Sequence, residues 1–334
     1  MLFLTAAEVD QALPMSDLIA ATKNAFQALS KGDARLPLRS QIELDEKEGA
    51  ALFMPAYLAG PVGQDSLTLK AVTAYARNPR RGLPTIHAAV LVLNPDNGQI
   101  EALLEGGRLT ALRTGAASGA ATDLLANEET PVAALFGAGV QGRTQLQAVS
   151  TVRDLKKVWV YDRSREQAEH LIAEMAGQGS IPAEMAAAET PRQAVREADL
   201  ICTATTSTRP VFDAGDLKPG VHINGVGSYR LDMIEIPPQI ALQARVFVGS
   251  REGVLAESGE IAAALAQGLL EEKDLIELGE VLSGLKPGRK HPEEITFFKS
   301  VGVAVQDAAA AGLALNNARK MGLGQHLNWQ QKQD

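Results

Sequence analysis

Apolar and polar positions follow two periods along the chain, and the change of period divides it. In the first 125 residues most segments alternate, the spacing of a strand with two unlike faces. Gln41 to Leu44 alternates, Ala51 to Leu58 is a longer apolar run, and Ser66 to Tyr75 alternates clearly. In that last segment Leu67, Leu69, Ala71 and Thr73 share one face and Lys70 points to the other. Thr85 to Leu93 and Ile100 to Leu104 flank the turn sequence Pro95-Asp-Asn-Gly98 and predict a hairpin. Helical spacing marks Thr5 to Gly32, interrupted at Pro14, with Leu18, Ile19, Thr22, Ala25, Phe26 and Leu29 on one stripe. It marks the alanine-rich Thr110 to Leu125 as well, which Arg113 helps to open. This region is predicted to be α+β.

From Val132 onward strands and helices take turns. Val132 to Phe136, Val158 to Tyr161, Leu200 to Ala204, Val221 to Val226 and Ala244 to Val248 suit buried strands. Ser164 to Ala176 and Pro191 to Ala198 suit helices, with Ser164 and Thr190 as N-caps and Pro191 at the first helical position. That rhythm predicts an α/β fold with a doubly wound parallel sheet, whose ligands bind at the carboxyl ends of the strands. Thr205, Asn224 and Gly227 fall at or near such ends. Short pieces at Glu277 to Leu282 and Ile295 to Phe298 precede Lys299-Ser-Val-Gly302 and a helix to about Lys320. The polar stretch Gln325 to Asp334 reads as a frayed tail.

Between the first two strands of the second region, Gly137, Gly139 and Gly142 form G-x-G-x-x-G, and Asp162 ends the second strand twenty residues beyond Gly142. Gly137 permits a tight turn, Gly139 lets backbone approach a pyrophosphate, and Gly142 lets helix pack on strand. The helix N-terminus presents free N–H groups to phosphate. Asp162 is an acceptor for the adenosine ribose hydroxyls and favours NAD, while Arg163, Ser164 and Arg165 offer partners for a 2′-phosphate, so NAD(H) is preferred and NADP(H) stays open. The same stretch reads G-x-x-x-x-G-R-T from Gly137 to Thr144. Arg143 stands where a P-loop needs lysine, which argues against a nucleotide triphosphate site.

Composition narrows the partners. The chain has 334 residues, 46% apolar and 22% charged, with net charge −8 and pI near 5.3. That charge disfavours nucleic acid and anionic membrane surfaces. A single cysteine, Cys202, lies in an apolar strand and permits no internal disulfide. The N-terminus lacks the basic and apolar regions of a signal peptide, so a cytoplasmic location is expected. None of the five histidines pairs at i, i+4 with another, and no metal is expected. His87 and His222 lie in predicted strands, where a hydrogen-bonded structural role is expected. The absence of G-x-S-x-G disfavours a serine hydrolase.

Against this acidic background Arg39, Lys70 and Arg113 lie in three separate elements of the first region. Arginine matches a carboxylate in two places, and a buried lysine suits acid–base work. Spacing alone equally permits three ordinary surface or ion-paired bases. Here a resemblance enters. Phe53-Met-Pro, Leu69-Lys-Ala, Gly82-Leu-Pro-Thr-Ile, Thr110-Ala-Leu-Arg-Thr, Phe136-Gly-Ala-Gly-Val-Gln-Gly, Ala204-Thr-Thr-Ser, His222-Ile-Asn-Gly-Val-Gly and Phe298-Lys-Ser-Val-Gly occur in that order. Together they resemble the ornithine cyclodeaminase and mu-crystallin family from end to end. The resemblance implies a Rossmann domain over 126–304 and a discontinuous substrate-binding and dimerisation domain over 1–125 and 305–334, hence a homodimer. It implies a clamp of Arg39, Lys70 and Arg113 on a substrate carboxylate, with Met54 and Val301 also at the substrate. It implies cofactor contacts at Thr85, Arg113, Gly137, Gly139, Val140, Gln141, Gly142, Asp162, Arg163, Thr205, Val226 and Ser300. The shared chemistry is hydride transfer between a nicotinamide and a carbon bearing an amine or imine. Lys70 is then a candidate to hydrogen-bond or protonate the imine nitrogen.

One departure separates the family's branches. Cyclodeaminases carry an acidic residue where this chain has Tyr229, in Gly227-Ser-Tyr-Arg-Leu-Asp232. Asp232 lies three residues on. The pattern resembles the reductases of cyclic ketimines and open-chain imino acids, which run in reverse as amino acid dehydrogenases. Tyr229 is expected to line the site or donate a proton. Two alternatives stay open: an ornithine cyclodeaminase that uses Asp232, and a non-catalytic cofactor-binding protein like mu-crystallin.

Overall fold

The alternating segments of the first region form one sheet. The structure, a computed structural model, describes residues 1–37, 39–60, 65–75 and 77–328. It begins with strand β1 (Leu2–Leu4) and helices α1 (Ala6–Ala12) and α2 (Met15–Lys31). Thr5 and Glu8 cap α1 reciprocally, and Gly32 ends α2 in the left-handed conformation at φ 80°. Strands β2 (Ala34–Arg35), β3 (Ser40–Leu44), β4 (Gly49–Leu58), β5 (Ser66–Tyr75), β6 (Ile86–Leu93) and β7 (Ile100–Glu105) follow. β4 to β7 pair antiparallel in sequence order, β2 and β3 both pair with β4, and β1 runs parallel to β7. Helix α3 (Gly106–Leu125) starts four residues before the expected Thr110. Its cap is Glu105, whose carboxylate accepts the N–H groups of Gly107 and Arg108 at 2.8 and 2.7 Å. Arg113 is therefore two turns inside the helix, not at its opening.

The second region contains β8 (Val132–Phe136), α4 (Val140–Val152), β9 (Lys157–Tyr161), α5 (Arg165–Met175), β10 (Glu184–Ala187), α6 (Pro191–Arg196) and β11 (Leu200–Thr203). It continues with β12 (His222–Gly225), β13 (Ala244–Val248), α7 (Arg251–Glu257), α8 (Gly259–Ala266), β14 (Ile276–Glu277), α9 (Leu278–Leu282) and β15 (Ile295–Lys299). Ser164 and Thr190 cap α5 and α6 as the sequence predicts. The strands pair in parallel in the order β10-β9-β8-β11-β12-β15-β13-β14. β9 and β10 build outward on one side of β8 and β11 and β12 on the other, with β15 inserted before β13, so the strand order reverses between β8 and β11, where doubly wound sheets bind their ligands. Strand β10 and helices α7 and α8 were not anticipated, because runs of four to eight residues are too short to show a clear period. The sheet is covered on both faces: Ala134 and Phe136 enter one apolar cluster, Ala133 and Leu135 the other. Cys202 is buried among the latter, and burial pushes its thiol up to about 12.

The chain ends with α10 (Ala304–Met321) and β16 (Gln325–His326). β16 pairs with β1, so the start of the expected frayed tail is ordered, whereas 329–334 lie outside the described residues. Two compact units result, Met1–Arg113 with Ala304–Asp334, and Thr114–Val303. The division falls within α3, twelve residues before the expected boundary at 125. The second half of that helix belongs to the second unit because it packs there. A Cβ on Gly115 would collide with the Thr144 carbonyl, and Thr122 accepts a hydrogen bond from Asn224 at 2.9 Å. Arg153 and Arg289 close the helix by donating to the carbonyls of Thr122, Leu125 and Ala126.

In the first unit α10 packs on α2, β4 and β5. Ser66, Thr68 and Lys70 face the covered side and are buried, whereas Leu67 and Leu69 on the other side are only half-buried. The apolar row of β5 is thus on the open face, the inverse of the usual arrangement.

His222 is fully buried in β12, as a structural histidine. Its Nδ1 lies 2.8 Å from Thr296 Oγ1 and its Nε2 3.2 Å from Asn224 Oδ1. Burial, reinforced by Arg289, drives its pKa from 6.5 down to about 3. Between those values the unfolded chain takes up a proton that the folded chain refuses. Stability from this group is therefore whole above 6.5 and is lost as pH falls, at about 1.4 kcal/mol per pH unit. Urea melts from about pH 6.5 to about pH 4.5 should show a shallower loss for His222→Gln than for the unaltered chain. Equal slopes would refute this role.

Candidate functional site

In the first unit a buried charge cluster joins β5, α3 and α10. Lys70 Nζ lies 2.6 Å from Asp307 Oδ2, with both side chains 1% exposed. Arg113 Nε donates to Asp307 Oδ1 at 3.0 Å, and Arg113 Nη1 donates to Gln306 Oε1 at 3.1 Å. One carboxylate thus bridges two cations. Arg39 is half-buried just before β3, and its charge acts on Lys70. Burial lowers the Lys70 ammonium from 10.5 to about 8; Asp307 opposes the fall, and Arg113 and Arg39 add to it. Met54 is the cross-strand neighbour of Lys70 and packs with Ala304 and Ala308. Thr85 is half-buried at the entry to β6, its carbonyl accepting the Tyr75 N–H at 2.9 Å. The three predicted bases therefore share one neighbourhood.

Asp307 and Gln306 were not anticipated. An aspartate in the first turn of a helix reads as a complement to the helix dipole. The usable signal was their setting: a Gln-Asp pair inside the apolar run from Val301 to Ala311 must be buried, and a buried carboxylate needs a cation.

In the second unit each glycine of the loop after β8 has a distinct constraint. Gly137 has φ 97°, and a Cβ there would collide with the Ala204 carbonyl. A Cβ on Gly142 would collide with the Gly137 carbonyl. A Cβ on Gly139 would meet nothing within 4 Å, so its face is open to a ligand. Gly139 is also the N-cap of α4 and brings no side chain to the first-turn N–H groups. Asp162 accepts from Ala138 N–H and Ser164 N–H, each at 2.9 Å, one on each oxygen. Each oxygen keeps a lone pair for a further donor. Val140 is 63% exposed, and the buried Gln141 Oε1 has no protein partner. Arg163 is exposed, and Arg165 pairs with Glu169 at 2.7 Å. Arg143 donates to the Ala138 carbonyl and pairs with Glu174, both at 2.6 Å, so it does not act as a P-loop lysine.

Thr205, Val226 and Ser300 follow β11, β12 and β15, three adjacent strands, at their carboxyl ends. Val301 packs into the core of this unit. Tyr229 is half-buried. Asp232 is exposed and held by Arg230 at 2.5 and 2.9 Å, and those bonds keep its carboxyl below the usual carboxylate range. A surface carboxylate so engaged is a poor acid. Among the described residues no group of three or more His, Cys, Asp or Glu is placed to hold a metal ion.

The loop after β8 therefore suits a dinucleotide: an open glycine for the pyrophosphate, a helix N-terminus behind it and an acid for the ribose. Comparison with known proteins agrees. The family model for the ornithine cyclodeaminase/mu-crystallin family matches residues 1–322. The chain belongs to this family. A Δ1-pyrroline-2-carboxylate reductase of Bacillus cereus is 37% identical over 331 residues, 98% of this chain and 100% of that protein. The Thermococcus litoralis Δ1-pyrroline-2-carboxylate reductase in complex with NADH and L-proline superposes with a TM-score of 0.93 at 39% identity, covering 98% of this chain and 100% of the other. An archaeal alanine dehydrogenase dimer with bound NAD gives a TM-score of 0.90 at 32% identity, covering 98% and 99%.

Removing Asp307 leaves two buried cations facing each other without a counterion. Asp307→Ala should cost about 3–5 kcal/mol of stability. Chemical denaturation would measure it, and a loss below about 1 kcal/mol would show that the cluster is solvated.

Proposed function

We propose that the chain is an NADH-dependent reductase of small cyclic α-imino carboxylates such as Δ1-pyrroline-2-carboxylate, reversible as an amino acid dehydrogenase. The observation that carries this reading is the buried cluster of Lys70, Arg113 and Asp307 with Arg39 beside it. Lys70 and Arg113, two cations on the single carboxylate of Asp307, leave an excess of positive charge, which suits the carboxylate of a substrate. Bound NADH supplies the hydride for the carbon of the C=N bond. Arg39 and Arg113 orient the substrate carboxylate, which is catalysis by positioning. Lys70 Nζ holds the proton that the nitrogen needs as it becomes an amine, and its pKa of about 8 suits that task near neutral pH. The similarity to reductases over the full chain length supports the substrate class. Tyr229 at the cyclodeaminase acid position, and Asp232 tied to Arg230, favour reduction over cyclodeamination. The free lone pairs of Asp162 favour NADH over NADPH, whose 2′-phosphate that charge would repel.

NADH oxidation should follow addition of Δ1-pyrroline-2-carboxylate, with a slower response to NADPH. Lys70→Met should lower kcat/KM by about 10²-fold or more. Since the protonated lysine is the donor, the reductive rate should hold at low pH and fall as pH rises through about 8, while proline oxidation rises over the same range. Lys70→Arg, which cannot lose its proton, should lack that alkaline limb. Full activity in Lys70→Met would remove Lys70 from the chemistry, and no turnover of any cyclic or open-chain imine would favour a non-catalytic binding protein.

A homodimer completes the proposal. On the open face of the first unit's sheet, Leu67 pairs across strands with Leu93, Leu69 with Leu91, and Leu91 with Leu103. All five leucines are half-buried, and Phe53 beside them is 37% exposed. A contiguous apolar patch of this kind is covered in solution, and a second copy is the occupant that the dimeric alanine dehydrogenase suggests. Sedimentation should give twice the chain mass of 35.3 kDa, and Leu69→Asp should give the single mass. A monomeric unaltered chain would exclude the dimer.

A further inference from the structure

At the carboxyl ends of β11, β12 and β15 the second unit has a buried polar network of its own. Glu235 is fully buried. Its Oε1 accepts the Thr205 N–H at 2.5 Å, and its Oε2 accepts the Gly227 and Ser228 N–H groups at 2.6 and 3.0 Å. One carboxylate thereby ties the loop after β11 to the loop after β12. Its own N–H donates to Glu260 Oε1 at 2.8 Å. Glu260, 1% exposed, also accepts from Ser228 Oγ at 2.5 Å and from Ser258 Oγ at 3.0 Å. Lys299, fully buried at the end of β15, donates to the Ser228 carbonyl and hydroxyl at 2.7 and 2.5 Å and lies 3.3 Å from Glu260.

The backbone is as constrained as the side chains. A Cβ on Gly227 would collide with the Thr205 backbone and with Glu235. A Cβ on Gly137 would collide with Ala204 in the same loop after β11. The glycine-rich loop, the loop after β11, the loop after β12 and Glu235 therefore form one continuous fixed wall. Parallel strand pairing does not require two buried carboxylates and a lysine. Desolvation pushes the Glu235 carboxyl up, so the arrangement is costly and is held by its donors. Precise placement of a ligand-facing backbone is what such a supporting shell provides.

The direction of the cofactor follows from the sheet. Asp162 follows β9, on one side of β8, and would take the adenosine ribose of the cofactor, with the pyrophosphate at the open face of Gly139. The nicotinamide half would then extend to the other side, over the ends of β11 and β12. We propose that Glu235 is a positioning residue for the nicotinamide half of the cofactor, acting through the N–H groups of Thr205, Gly227 and Ser228. This rests on the cofactor reading given above.

The experiment compares two probes, NADH and ADP-ribose, which lacks the nicotinamide. Glu235→Gln places an amide donor against backbone N–H donors. NADH affinity should fall about tenfold, the scale of one lost charge-assisted hydrogen bond, with ADP-ribose affinity unchanged within about twofold. Ser228→Ala, which removes only the hydroxyl shared by Glu260 and Lys299, should give the same selectivity at about threefold and decides the matter if Glu235→Gln does not fold. Equal weakening of both probes, or unchanged NADH affinity, overturns the proposal. An unaltered chain that binds ADP-ribose and NADH with those results rejects Glu235 alone, whereas one that binds neither rejects the cofactor reading itself.

Discussion

The first unit depends on the Asp307 carboxylate, which lies against the Lys70 ammonium and the Arg113 guanidinium with almost no water in reach. Two cations that share one carboxylate repel where the dielectric is low, and burial further disfavours the charged form of Lys70. Asp307 offsets both charges and opposes the fall in the Lys70 pKa that burial causes. The ion pair does not serve stability for its own sake. Apolar residues of similar volume commonly hold a core as well or better. In the proposed function it holds positive charge, pre-oriented, for the carboxylate of a substrate.

That charge is framed by packing. Small residues on α10, Ala304 and Ala308, lie against Met54 and Ala56, and Ser66 donates to the Ala308 carbonyl at 2.8 Å. A larger residue on that helix face would lift Asp307 away from the sheet. The same seating leaves the leucine row of β5 and β6 on the open face, so the site and the proposed dimer surface are two sides of one sheet, separated by its period of two.

The second unit is governed by sterics rather than charge in its glycine-rich loop, and by a buried carboxylate in the loops beyond it. Gly137 and Gly142 are fixed by neighbouring carbonyls, and Gly139 is left open. Glu235 gathers backbone N–H groups that would otherwise be unpaired in a dry interior. Both devices hold backbone still before any ligand arrives, and preorganisation of this kind lowers the cost of binding.

Local physics made much of this readable from the sequence. Period-two alternation marked β5, the G-x-G-x-x-G spacing marked the tight turn from β8 into α4, and Ser164 and Thr190 marked helix starts. Each depends on residues near one another along the chain. The start of α3 was misplaced because its cap is a glutamate at the end of a strand, not one of the usual capping residues. Alternation told which residues of β5 share a face but not which face the rest of the chain would cover, because that depends on where α10 lands. Asp307 meets Arg113 across 194 residues of sequence, and Glu235 meets Thr205 across 30. A charge inside an apolar run announces that it needs a partner, yet only the folded chain decides which cation answers, since no local rule of spacing reaches that far.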